Sequence, residues 1–302
     1  MKIHVLVYGS AGNLSSTVRT DLSMLRDSAE KLGHEIEIIH SRDCQLKFTG
    51  KPKILVDGKP PRAKILLVRA NFLHKDLEIH ASLIKQFEMS NVKVVNKHSG
   101  VIKAKNKVHT LQTLAKNGVP MPKTYVVRSA DYIEDVVKDF GTYPVILKNI
   151  SGSHGLGVAI VESKRGMRSI VEMLTESGGS NPLIVQEYVK ESKGKDIRVF
   201  ILGKRIIAAM ERVATKRGEF RSNFKLGGRV RVAELTRKEK DIAFAAVAAC
   251  GLDMAGVDIL RTKKGPKVLE VNANPGLEGI TKATGRDVAG EIIKFAAKRA
   301  RR

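Results

Sequence analysis

Tryptophan is absent, and aromatic residues make up only 5% of the 302. Proteins that read single-stranded nucleic acid by base stacking generally display several rings, so the composition counts against that class. There are two cysteines, Cys44 and Cys250. They have no CxxC spacing and no histidine cluster beside them, which excludes a zinc signature and a disulfide framework. No stretch approaches the roughly 18 consecutive apolar residues of a membrane helix. The opening MKIHVLVYGS has too short an apolar run for a signal peptide and no small-residue cleavage site. A soluble, cytoplasmic protein with no membrane partner is expected. Two phosphate-loop signatures are missing as well. GxxxxGK[ST] does not occur, and GSAGNLSS after the first strand lacks the third glycine of GxGxxG. That segment reads as a tight strand-to-helix turn. No Ser/His or Cys/His pair suggests a nucleophilic enzyme, and no internal repeat is visible.

Acid is scarce relative to base. Lys and Arg number 54 against 31 Asp and Glu, a formal charge of +23. Such an excess attracts polyanions: nucleic acid, nucleotide phosphates or acidic peptides. What is present otherwise is ordinary for a globular chain, with 42% hydrophobic and 28% charged residues. The length suffices for a large core and two or three lobes.

KIHVLVYG, EIEIIH, ILLVRA and VKVVN alternate with helical patterns near residues 16–32 and 76–89. Alternation of this kind predicts a parallel sheet flanked by helices, a domain of about 100 residues. From Lys103 the pattern changes. KAKNKVHTLQTLAKNG reads as one helix closed by Asn117-Gly118. Short strands then dominate, several of them consecutive, with helices near 130–140, 167–175 and 236–250 and a last one from Gly285. Consecutive strands predict antiparallel pairing and an α+β half. Lys294 to Arg302 reads as a basic low-complexity tail.

The chemistry concentrates in four stretches. AGVDILRTKKGPKVLEVN reads as a hairpin centred near Lys264. Asp258 then lies opposite Glu270 and Leu260 opposite Val268, with Asn272 on the same face as Glu270. Opposed carboxylates repel and need a counter-charge. A hard divalent cation supplies one, and Asp, Glu and Asn oxygens suit Mg²⁺; acids paired with surface lysines are the plainer reading. VILKNISGSHGLGV places Lys148 near a strand end before a loop with Ser151, Gly152, Ser153, Gly155 and Gly157. Glycines let backbone N–H groups approach phosphate oxygens, so a flap over a triphosphate and a simple long hairpin both fit. QEYVKESKGKDIRVFI, with Glu187, Tyr188 and Asp196, could form a wall holding an adenine. GEFRSNFKLGG offers Arg221 and Asn223, the arginine being a rigid fork for phosphate or carboxylate.

Taken in order, these stretches resemble the RimK family of ribosomal-protein glutamate ligases, within the ATP-grasp superfamily. The likeness is strongest from about Lys105 to the end. It implies an N-terminal parallel α/β pre-ATP-grasp domain (1–104) and an ATP-grasp domain (105–302). The latter divides into a central lobe with the glycine-rich flap (105–186) and a C-terminal lobe with the metal site (187–302), ATP lying between them. By position, the resemblance implies ATP contacts at Lys107, Lys148, Glu187, Tyr188, Asp196, Arg221, Ser222 and Asn223. It implies metal ligation by Asp258, Glu270 and Asn272, with two Mg²⁺ or Mn²⁺ ions. Lys148 and Arg221 are the implied catalytic groups; Arg198, or else Arg212, is the candidate for holding the acyl phosphate or carboxylate. The implied reaction joins L-glutamate to the acidic C-terminus of a small-subunit ribosomal protein through an acyl phosphate. A homo-oligomer with weak RNA or ribosome association through its basic surface is expected. Two alternatives stand beside it: a RimK-like ligase acting on a small cofactor or amino-group carrier protein, and a basic nucleic-acid-binding protein with a vestigial ATP site. VRANFLHKDLEIH lacks the Pro-Arg-Ile-Gly stretch of the family, and the basic tail also departs from its pattern.

Overall fold

The strand β1 (Lys2–Val7) is buried at every position after its first. A strand covered on both faces needs no polar alternation, which is why Val5, Leu6 and Val7 follow one another in KIHVLV. The computed structural model describes residues 1–51, 53–72, 77–150, 157–176, 182–215 and 228–301. After β1 a single 3₁₀ turn leads to α1 (Ser16–Lys31), whose first turn is capped by the Ser15 hydroxyl accepting from the Val18 N–H. Next come β2 (Glu35–His40), the short strands β3 (Cys44–Lys47) and β4 (Lys53–Val56), β5 (Ile65–Arg69), α2 (Leu77–Met89) and β6 (Lys93–Val95). The first sheet runs β2-β1-β5-β6 and is parallel throughout. The pair β3-β4 forms a separate antiparallel hairpin that the strand pattern did not reveal.

The expected helix over KAKNKVHTLQTLAKNG is two helices, α3 (His98–Lys105) and α4 (Lys107–Lys116). Asn106 breaks it with an extended backbone (φ −100°, ψ 111°). Its side-chain oxygen accepts from the N–H groups of Val108 and His109, so Asn106 is the N-cap of the second helix. Such a cap competes with helix continuation, and here it wins. The break turns Lys105 and Lys107 onto different helices.

The middle of the chain supplies β7 (Thr124–Val127), α5 (Ile133–Phe140), β8 (Val145–Asn149), β9 (Val158–Val161), α6 (Lys164–Glu176) and β10 (Leu183–Glu187). The sheet order is β7-β10-β8-β9, antiparallel. The third sheet contains β11 (Lys195–Leu202), β12 (Arg205–Val213), β13 (Arg229–Val232), β14 (Met254–Leu260) and β15 (Lys267–Asn272), ordered β13-β12-β11-β14-β15 and again antiparallel. Its helices are α7 (Arg237–Cys250), α8 (Glu278–Thr284) and α9 (Val288–Arg301). A capping box between Thr236 and Glu239 starts α7.

The first and third sheets do not have separate cores. One apolar cluster joins Leu6, Val68 and Phe87 to Val199, Val257 and Val271. Another joins Ile3 and Val5 to Phe200, Met254 and Ile293. The middle sheet has its own cluster around Val145, Leu147 and Val185. The expected basic tail is corrected over residues 294–301: they are the end of α9, which buries Ile292, Ile293, Ala296 and Ala297. Arg299 adds a two-pronged ion pair to Asp253 at 2.6 and 2.7 Å.

Two polar fasteners align the sheets. Asn96, fully buried, donates to the Met254 and Ala273 carbonyls (2.7 and 2.9 Å) and accepts from the Asp253 and Met254 N–H groups (both 2.8 Å). All its bonding capacity is used. Buried Arg69 pairs with buried Asp21 and donates to the Pro275 carbonyl, while Asp21 accepts from the Leu277 N–H. These contacts fix the turn that follows β15.

Candidate active site

The site begins with strand register. Asp258 is paired with Glu270 across β14-β15, as expected from the hairpin's centre. The companion expectation fails. Leu260 faces Lys267, and Val268 faces Ile259, because the register shifts between Asp258 and Ile259. Leu269 is the extra residue on β15, a bulge. On the other side, Asp258 is paired with Arg198 of β11. Glu270, Asp258 and Arg198 thus form one row across three strands. Gly256 leaves room beside it: a Cβ there would lie 2.9 Å from the Pro275 side chain and 3.6 Å from Arg198 Cδ.

Asp258 is buried, at 2% exposure. Arg198 grips it with Nε and Nη2, both at 2.7 Å, and Arg212 Nη2 adds a third bond at 2.7 Å. Arg212 also grips Asp196, at 2.6 and 2.7 Å. Burial acts to raise the Asp258 carboxyl, but the two guanidinium charges and their hydrogen bonds outweigh it and hold the group below its ordinary range. Burial likewise opposes the charge on Arg212, yet Asp258 and Asp196 bind its proton more firmly than in a free arginine. The counter-charge that the opposed carboxylates require is therefore supplied first by arginine. Glu270 is exposed. The Asn272 amide donates to Glu270 Oε1 at 2.9 Å and accepts from Arg198 Nη2 at 3.3 Å.

Three lysines converge on this acidic row from other elements. Lys105 ends α3, Lys107 starts α4 and Lys148 lies in β8, and each feels the charge of Glu270. Lys148 Nζ donates to Gln186 Oε1 at 2.7 Å. The Gln186 amide is oriented by its own donation to Thr124 Oγ1 at 2.8 Å, and that hydroxyl donates to the Pro122 carbonyl. Lys107 Nζ donates to the Ile150 carbonyl at 3.0 Å. Lys105 Nζ donates to the Phe72 carbonyl at 3.0 Å and lies 4.9 Å from the Phe72 ring centre. Burial pushes Lys148 and Lys105 down to about 8, although Glu270 pulls both upward. It lowers Lys107 too. A cluster of half-buried ammonium groups suits a ligand that brings several negative charges.

The stretch expected to wall the adenine runs from the end of β10 through a 3₁₀ turn into β11. Glu187 is engaged by Lys267 Nζ at 2.7 Å and by the Lys123 N–H at 3.0 Å. Burial opposes its ionisation, and these partners together lower its pKa. The Tyr188 hydroxyl is buried and has no hydrogen-bond partner among the described residues. Asp196 is buried at 6% exposure with Arg212 on its carboxylate. Arg221, Ser222 and Asn223, and the flap residues Ser151, Gly152, Ser153 and Gly155, lie outside the described residues.

The model of the RimK-like ATP-grasp domain matches residues 104–296. The chain belongs to the RimK-like ATP-grasp family. It is 37% identical over 292 residues to a probable alpha-L-glutamate ligase of Vibrio vulnificus, covering 96% of this chain and 93% of that protein. It is 38% identical over 304 residues to a probable alpha-L-glutamate ligase of Teredinibacter turnerae, covering 100% and 97%. Among solved structures it resembles the ATP-grasp ligase PsnB complexed with minimal precursor, Mg and ADP. The TM-score is 0.75 and the identity 19%, over 99% of this chain and 98% of that one. The fold is therefore the expected ATP-grasp fold, and the protein is an enzyme of the ATP-grasp ligase family.

Within that family the donor set can be tested for Mg²⁺. Asp258, Glu270 and Asn272 offer carboxylate and carboxamide oxygens, the ligands a hard cation accepts. Among the described residues no group of three or more His, Cys, Asp or Glu could hold a metal alone. Mg²⁺ takes few protein ligands and completes its shell with phosphate and water. Three contributors escaped the sequence reading: Lys105, Arg212 as a buried clamp, and Gln186. The i,i+2 spacing of Lys105 and Lys107 around a helix-capping Asn was the available signal for the first. The other two depend on strand neighbours distant in the chain.

Proposed function

We propose that this protein is an ATP-dependent α-L-glutamate ligase. The observation that carries the reading is the convergence of Lys105, Lys107 and Lys148 on the row Glu270, Asp258, Arg198. It combines a polyphosphate-sized positive charge with oxygen ligands for its cation. In this reading ATP lies between the lobe 105–186 and the lobe 187–302, the adenine near Glu187 and Tyr188 and further contacts at Asp196, Arg221, Ser222 and Asn223. Lys107 and Lys148 hold the phosphates. Asp258, Glu270 and Asn272 hold Mg²⁺ or Mn²⁺, two ions in all. When bound, the cation offsets charge on the phosphate oxygens.

The reaction forms an amide. An acceptor carboxylate oxygen attacks the γ-phosphorus, the bond to the β-phosphate oxygen breaks and ADP leaves. The amine of glutamate then attacks the acyl carbon, phosphate leaves and the amine loses a proton. Lys148 and Arg221 face the charge spread over the transferred group, and Arg198 holds the carboxylate end. No nucleophilic side chain is required.

The acceptor we propose is the acidic C-terminus of a small-subunit ribosomal protein. The net charge of +23 favours such an anionic partner and also a weak association with RNA. A cytoplasmic homo-oligomer completes the proposal; among the described residues no helix is long and apolar enough to cross a membrane. Mass spectrometry after incubation with ATP, Mg²⁺, glutamate and candidate acceptors tests it. Successive additions of one glutamyl residue to the ribosomal protein are expected. Activity confined to a small carboxylate cofactor or a carrier protein would refute the acceptor.

A further inference from the structure

The β3-β4 hairpin and the loop after it, residues 44–64, contain Lys47, Lys51, Lys53, Lys59, Arg62 and Lys64 against one acid, Asp57. All six cations are exposed. None has a carboxylate within ion-pair distance among the described residues, whereas Arg42 just outside pairs with Asp43. The inner face of the hairpin is apolar: Ile54 is buried, and Cys44, Leu46 and Val56 pack against the main core. The outer face carries Gln45, Lys47, Lys53 and Leu55, with Lys47 directly opposite Lys53 in register. Like charges opposed across a sheet repel, and no carboxylate among the described residues pairs with either lysine. Phe48 follows at the tip, 68% exposed.

We propose that this hairpin is an RNA-binding arm that takes an unpaired stretch of RNA, lysines on the phosphates and the Phe48 ring against a base. Charge complementarity alone would admit any polyanion. The exposed ring favours RNA: one ring can stack on a single unpaired base, which asks less than the several rings that a base-reading surface displays and this chain lacks. The two opposed lysines then face successive phosphates, which removes their repulsion. The arm shares no residue with the ATP site, and the inference stands apart from the glutamate-ligase reading: neither ATP nor acceptor enters its test.

The probe is a fluorescently labelled oligouridylate, and its affinity for the full chain is read by anisotropy over a salt series. In Lys47→Gln/Lys53→Gln the slope of log affinity against log salt should fall by about 1.4, roughly 0.7 for each phosphate that no longer meets a lysine. In Phe48→Ala affinity should fall about five- to 150-fold, equivalent to ~1–3 kcal/mol of stacking, with the slope unchanged. All three side chains are exposed, so circular dichroism should match the parent. An unchanged slope in the double variant would overturn the proposal. So would displacement of the RNA by polyglutamate at equal charge concentration, which would identify the arm as an acidic-peptide site.

Discussion

Replacing Gln186 by Met should shift the pH at which the protein loses affinity for ATP. Gln186 is 4% exposed and supplies the only side-chain acceptor bonded to Lys148 among the described residues. Lys148 sits near 8, so at pH 7 about nine-tenths of it is charged. A hydrogen bond to a charged group is worth ~1.5–3 kcal/mol, and one pH unit corresponds to about 1.4 kcal/mol. Losing the acceptor should thus lower Lys148 by about one to two units, to between about 6 and 7. The charged fraction at pH 7 would drop to between roughly a half and a tenth. Only the ammonium attracts phosphate, so affinity is present below the pKa and lost as pH rises through it. Calorimetric titration with a non-hydrolysable ATP analogue from pH 5.5 to 9 measures this. A Lys105→Met background removes the other titration near 8. The fall in affinity should begin about one to two units earlier in Gln186→Met. If a folded Gln186→Met protein kept the parent's pH profile, the Gln186–Lys148 bond would have no part in holding the phosphate charge.

Nucleotide binding at pH 8 should take up protons, because phosphate stabilises the charged forms of Lys148 and Lys105; titrations in buffers of different ionisation enthalpy reveal it, and zero uptake contradicts it. Glu270→Gln should abolish divalent-dependent ADP release and leave the melting curve nearly unchanged, since Glu270 is exposed; parental turnover at limiting Mg²⁺ would exclude it as a ligand. Asn96→Ala should cost at least about 4 kcal/mol in urea unfolding, ~1 kcal/mol for each of four backbone groups left unpaired. Arg212→Met should cost ~3–5 kcal/mol by breaking its buried ion pairs with Asp196 and Asp258; Asp196→Asn in the same chain should recover part of that loss.

Legibility in the sequence followed the range of the interactions. The parallel sheet was readable because the largely apolar strands β1 and β5 are each followed by a helix. The Asp258–Glu270 pairing was readable because a hairpin's register depends on a turn within a dozen residues. Even there the bulge at Leu269 escaped, since nothing in KVLEVN announces an extra residue. The arginine clamp was not readable: Arg198 and Arg212 meet Asp258 only because β11 lies between β12 and β14. Charge also masked pattern. The lysines and arginines of α9 hid an apolar stripe, and those of β3-β4 hid a hairpin too short for its alternation to stand out. The break at Asn106 left a trace, an Asn before a helical run, but strong helix formers on both sides outweighed it.

Amide formation through an acyl phosphate can be followed with an acceptor whose C-terminal carboxylate carries heavy oxygen, incubated with ATP, Mg²⁺ and glutamate. ADP and inorganic phosphate are expected, with one heavy oxygen in the phosphate released by the first glutamyl addition and none in that from later ones. A first-turnover phosphate without label, or AMP and pyrophosphate in place of ADP, would overturn the mechanism.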